Sequence, residues 1–258
     1  MWIRKDSYKM GILRKGASND LFEEMTMKRI IAAALVLFLI ASVTQGQALM
    51  QTFGTSPLTY ITSKFECGCE RTGAGSMIGR NCLITAAHNL ICSRHNKEIS
   101  SCNFFLNWDG KTYAKKYSGR FTYRWYADFS HGYRSEDDIA YVVFQENIAD
   151  KVGFFEYGIQ PYGDDALGWD YCTMYGYDGK KRVSDVSKVE YADTKQICWP
   201  MSSGFRNCSE GGPVLWGSNF PFLIAVYTSH SGTTGYARLL TNDIISDMIR
   251  DGVDFAQD

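Results

Sequence analysis

Beyond residue 48, the apolar positions of the chain fall in short aromatic or β-branched runs separated by Gly, Asp, Asn and Ser. Runs of that length, bounded by turn residues, predict strands rather than helices. The expected strands are 76–78, 82–85, 103–108, 112–117, 120–125, 139–144, 171–175, 213–216 and 222–228. Asp109-Gly110 and Asp178-Gly179 are hairpin signals, because both dipeptides suit the positive backbone dihedrals of tight turns. One helix is expected at the end of the chain. Thr241 or Asn242 can cap it, and Ile244, Ile245, Met248 and Ile249 form one apolar stripe. The pattern is that of an all-β protein with a C-terminal helix.

The front of the chain reads differently. Lys28 and Arg29 precede an apolar run over 30–43, which gives way to Thr44-Gln45-Gly46-Gln47-Ala48. A basic start, a short apolar run and a small-residue exit predict a secretory signal peptide over 27–46, cleaved after Gly46 or Ala48. The run is shorter than the roughly 20 residues of a membrane-spanning helix. A buried core helix is the competing reading, and it fits less well because no polar face interrupts the run. Residues 1–26 are expected to be an upstream extension outside the native protein, with translation starting at Met27; an uncleaved signal anchor is the alternative. The expectation is a secreted, extracellular protein without membrane attachment after cleavage.

The chain carries 15 Phe, 16 Tyr and 6 Trp in 258 residues, enough to fill a sizeable core, which excludes global disorder. Its net charge is −1, with no basic run that could follow a phosphate backbone, so no nucleic-acid partner is expected. Eight cysteines lie beyond the apolar run, at 67, 69, 82, 92, 102, 172, 198 and 208. An even count in an exported chain predicts disulfides of undetermined pairing. Five fall between Cys67 and Cys102, so a zinc cluster competes with that reading. No C-x2-C knuckle is present, and export favours oxidation, so no metal and no cofactor are expected.

Three segments carry chemistry. The first, over 75–88, ends Leu83-Ile84-Thr85-Ala86-Ala87-His88. Fifty residues later stands Asp137-Asp138-Ile139-Ala140, and the third is Cys208-Ser209-Glu210-Gly211-Gly212-Pro213-Val214. Taken singly, His88 reads as a structural histidine and Asp138 as a solvated turn. Together, and in this order, the segments resemble the His, Asp and nucleophile segments of chymotrypsin-like serine proteases, nearest the secreted glutamyl-endopeptidase-like branch. The resemblance covers roughly residues 60–252. It implies two six-stranded antiparallel β-barrels packed face to face with a C-terminal helix, as one domain over 47–258 whose halves meet near 150–165. It also implies a monomer and a peptide or protein ligand.

In the register of the resemblance, His88 is the catalytic base and Asp138 the carboxylate that holds its tautomer. Glu210 occupies the nucleophile position, and Ser209 lies one residue too early. Cys208 stands where the family has the Gly of the oxyanion hole. Glu210 cannot be activated by proton removal, because at neutral pH it has none to lose. Its carboxylate would pair with the imidazolium and oppose the oxyanion, where loss of even one donor costs about 100- to 1000-fold. The expectation is a non-catalytic pseudoprotease; the alternative is an active endopeptidase with Ser209 as nucleophile. Tyr227 and His230 lie near the region where glutamyl endopeptidases carry a His that recognises an acidic side chain. They are the substrate-binding candidates, with a surface His in a Ser-rich loop as the alternative for His230. No Asp or Glu lies between Ile197 and Cys208, which argues against a trypsin-like preference for Lys or Arg.

Overall fold

The computed structural model describes residues 56–127, 129, 132–159, 171–205, 208–217 and 222–255; for Cys208 and Ser209 it describes the backbone alone. The signal-peptide and upstream-extension expectations fall outside these residues.

The strands form two curled antiparallel sheets. The first contains β1 (Leu58–Phe65), β2 (Glu70–Gly79), β3 (Cys82–Thr85), β4 (Ile91–Cys92), β5 (Lys97–Leu106), β6 (Lys115–Tyr117), β7 (Phe121–Trp125) and β8 (Ala140–Phe144). Its order is β4-β5-β1-β2-β3-β8-β7, with β6 paired to β5. The second contains β9 (Tyr171–Asp178), β10 (Lys181–Lys188), β11 (Glu190–Tyr191), β12 (Gln196–Pro200), β13 (Cys208–Ser209), β14 (Pro213–Trp216), β15 (Phe222–Ser231) and β16 (Thr234–Leu239). Its order is β10-β9-β14-β15-β16-β12-β11, with β13 paired to β9. Each sheet therefore has eight strands where six were expected, and the difference lies in short segments such as the two-residue β4, β11 and β13.

Why the middle strands are apolar throughout follows from the period of two along a strand. In β8, Ala140, Val142 and Phe144 enter the core of the first sheet. Tyr141 and Val143 face the other way, into a second core shared with Leu215, Leu223 and Val226 of the other sheet. In β3, Leu83 points into the first core while Cys82 and Ile84 point into the shared one. A strand covered on both faces reads as a continuous apolar run rather than an alternating one. A third core lies inside the second sheet, around Met174, Trp199, Phe205, Ile224 and Tyr227.

Helix α1 (Asn242–Arg250) closes the shared core with Ile244, Ile245 and Met248. Ile249, expected in the same stripe, is 60% exposed. At about 100° per residue it lies about 140° from Ile244, past the edge of the buried face. The helix is also tied to the first sheet: Tyr126 and Tyr141 donate hydroxyl hydrogen bonds to Asp247 (2.8 Å) and Asp251 (2.7 Å). Both expected hairpins form. Asp109 Oδ1 accepts from the amides of Lys111 and Thr112, 2.7 Å each, in the turn from β5 to β6, and Asp178-Gly179 joins β9 to β10.

Cys67, Cys69, Cys82, Cys92, Cys102 and Cys198 are free thiols, so the disulfide expectation is not met at these six positions. Burial gives three cysteines a packing role. Cys102, Cys82 and Cys172 each serve as a small apolar filler in a different one of the three cores.

Candidate active site

The register of β3 against β8 sets the site. Thr85 pairs with Ala140 at the end of the ladder, so the chain just after Thr85 and just before Ala140 emerges at one edge. His88 follows in a 3-10 turn, Ala87–Asn89, which Ala86 and Ala87 allow to pack tightly because neither has a side chain beyond Cβ. Asp138 follows another 3-10 turn, Ser135–Asp137. The carboxylate grips His88 twice: Oδ1 accepts from the His88 backbone N–H at 2.9 Å, and Oδ2 lies 2.5 Å from Nδ1. Both side chains are buried. The Tyr133 hydroxyl lies 2.8 Å from both Asp138 Oδ2 and the Thr228 carbonyl, so it links the carboxylate to β15 of the second sheet.

Glu210 arrives from the second sheet, between β13 and β14. Its loop is clamped through the main chain. The Glu210 carbonyl accepts from the Ala74 amide at 2.9 Å and from Asn89 Nδ2 at 3.0 Å. The Gly211 amide donates to the Tyr227 carbonyl at 2.7 Å. Gly211 has φ +100°, and a Cβ there would lie 2.2 Å from the Ala74 oxygen; at Gly212 a Cβ would lie 1.8 Å from the Tyr175 oxygen. Only two glycines let the loop pass between the sheets this closely.

The Glu210 side chain, 17% exposed, places Oε2 3.2 Å from His88 Nε2 and 2.8 Å from an Arg71 guanidinium nitrogen. The contact with Nε2 is an ion-pair approach off the hydrogen-bonding direction, since Nε2 has no aligned acceptor among the described residues. Charges alternate along the row: Asp138, imidazolium, Glu210, guanidinium. Burial alone would depress the pKa of His88. The Asp138 charge and hydrogen bond, helped by Glu210, outweigh that burial and a smaller opposing effect of Arg71, and the value ends above its ordinary one. The same surroundings therefore favour the protonated imidazole, the form that cannot accept a proton from a nucleophile.

The structure therefore brings together His88, Asp138 and Glu210. His230 joins them, 39% exposed, with Nδ1 3.8 Å from Glu210 Oε1. Tyr227 is placed differently from a cleft-lining residue. Its ring is buried against Trp199 and Phe205, and only its hydroxyl approaches the site, 3.2 Å from His230 Nδ1. The Ser209 side chain lies outside the described atoms; its backbone pairs with Tyr177 in β13. Arg71, Asn89 and Tyr133 were not anticipated from the sequence. No local motif marks them, and Arg71 meets Glu210 across 139 residues of chain. A depression of about 530 Å³ lined by Ile99, Cys102, Arg120 and Tyr123 shares no residue with this cluster.

No protein-family model matches the chain, and no curated protein matches its sequence. Solved structures do match. A glutamyl endopeptidase in complex with MPD superposes with a TM-score of 0.61 at 14% identity, covering 76% of this chain and 90% of that one. The protease Anisep from Arthrobacter nicotinovorans gives 0.59 at 15% identity, over 75% and 94%. HL collagenase gives 0.59 at 16% identity, over 78% and 95%. With two curled antiparallel sheets, a C-terminal helix and these structural relatives, the chain has the fold of the chymotrypsin-like serine proteases.

Proposed function

We propose that this protein is a non-catalytic relative of serine endopeptidases that binds peptide or protein ligands. The observation that carries the reading is the Glu210 carboxylate, 3.2 Å from Nε2 of His88 and paired on its other side with Arg71. Acyl transfer needs a neutral base facing a hydroxyl, with donors aimed at a developing oxyanion. Here the base faces an anion that stabilises its protonated form, and the same anion repels the charge of a tetrahedral intermediate. The retained Asp138–His88 pair supports descent from a catalytic ancestor. The basic-then-apolar segment at 28–43 supports export, which N-terminal sequencing of the mature product tests.

The deciding experiment exposes the folded protein to a fluorophosphonate probe and reads the intact mass, with a Glu210→Ser variant alongside. No adduct on the native chain, with labelling of the variant, is the expected result. An adduct on the native chain that maps to Ser209 would overturn the reading and establish an active endopeptidase.

A further inference from the structure

Two turns at one end of the first sheet bring four soft donors together. The turn from β1 to β2 contains Cys67-Gly68-Cys69, and β4 ends on Cys92, with Ser93-Arg94-His95 in the turn that follows. They are neighbours because β5 pairs with both β1 and β4, and because the Glu66 amide donates to the Glu98 carbonyl at 3.0 Å. The three sulfurs and His95 Nδ1 all lie within 4.8 Å of one another. Nδ1 is 3.5 Å from Cys69 Sγ and 3.4 Å from Cys92 Sγ. A tetrahedral zinc with bonds of about 2.3 Å to sulfur and about 2.0 Å to nitrogen has S···N edges of about 3.5 Å. The two S···N separations from Cys69 and Cys92 already match that edge, and the remaining ones lie within 4.8 Å.

We propose that Cys67, Cys69, Cys92 and His95 form a closed structural zinc site. Three thiols and an imidazole suit zinc rather than calcium or magnesium, which take oxygen ligands. Four protein donors leave no open position, so the site is structural and not catalytic. Binding Zn²⁺ releases three thiol protons and leaves a complex of charge −1, with no change of oxidation state. Disulfide formation accounts for the cluster less well, because three thiols cannot pair among themselves and His95 would keep no role. The two turns backing the site are ordered by their own amides: Phe65 donates to Cys69 and Asn96 to Cys92. Since β4 starts three residues after His88, the metal would also brace the segment that carries the imidazole.

The test uses the full chain, purified without chelator and incubated with zinc chloride before desalting. Elemental analysis is expected to give one zinc per chain, retained by Cys198→Ser and lost from a Cys69→Ser/Cys92→Ser variant. In the unsubstituted protein, alkylation mapped by peptide mass should reach Cys67, Cys69 and Cys92 only after a chelator is added. Cobalt in place of zinc should give the visible bands of a tetrahedral thiolate complex. Zinc far below stoichiometry, alkylation of the three thiols at a rate zinc does not change, or a native disulfide to any of them would each overturn the proposal. Because protection is read on the unsubstituted chain, a variant that fails to fold does not remove the test.

Discussion

Glu210→Gln keeps the shape of the side chain and removes its charge. Two unit charges 3.2 Å apart, the separation of His88 Nε2 and Glu210 Oε2, attract by about 5 kcal/mol at an effective dielectric of about 20. Three features reduce this. Glu210 keeps 17% exposure, shares Oε2 with Arg71 at 2.8 Å, and leaves Asp138 to compensate the imidazolium. The net contribution expected is about 2 kcal/mol, under half of the unreduced attraction. Its pH dependence has a definite sign. The pKa of His88 is raised, with Asp138 and Glu210 outweighing burial. Stabilisation from the pair is therefore fully present below the ordinary histidine value of about 6.5 and disappears as pH rises through the raised folded value. Above that value the imidazole keeps its Nδ1 proton for Asp138 and turns a lone pair toward the Glu210 carboxylate, an arrangement the Gln amide suits better. Urea denaturation of both proteins from about pH 5.5 upward, above the general carboxylate range, is the assay, with the His88 ring protons followed by NMR. The native chain should be more stable at the acid end, with the difference vanishing or reversing at the alkaline end. A difference that stays constant with pH, or a Gln variant more stable at the acid end, would refute the ion pair.

Tyr133→Phe removes a donor from the buried Asp138 carboxylate and should cost about 2 kcal/mol; it should also raise the proton affinity of His88, read by the same ring-proton titration. Gly212→Ala would drive a methyl to 1.8 Å from the Tyr175 carbonyl. It should lower stability by about 3 kcal/mol, the upper end for overpacking, and a denaturation midpoint close to that of the native chain would mean that the loop can back away. Ile244→Ala should cost about 2–5 kcal/mol by thermal or urea unfolding, whereas Ile249→Ala, at an exposed position, should stay within about 0.5 kcal/mol.

Strands buried on both faces were the most legible, because their apolar runs are continuous: β3 and β14 have the boundaries expected from the sequence, and β8 differs by one residue. Strand β10, Lys181–Lys188, gave no signal of its own. It is largely exposed, ends the order of its sheet, and is held by pairing with β9. His88, Asp138 and Glu210 could be grouped because the three segments that carry them, taken together and in order, resemble those of a known family. Arg71 could not, because its partner is set by how the two sheets meet, and Tyr133 could not, because nothing local marks it as the donor to Asp138 five residues on. The cysteines illustrate the same limit: C-x-C and C-x2-H are weak signals alone, 22 residues of chain separate Cys69 from Cys92, and the pairing of β5 with both β1 and β4 makes them neighbours.

The loop bearing Glu210 is fastened by main-chain groups: its own carbonyl, the amide of Gly211 and the carbonyl of Gly212, which accepts from the Tyr227 amide at 2.9 Å. None of these contacts depends on which side chain stands at 210. The position behaves as a socket, where the residue can be exchanged while the loop path stays constant. Loss of a nucleophile at such a place requires no compensating change in the scaffold, and neither does its return. The path of the loop is thereby uncoupled from the identity of the residue at 210.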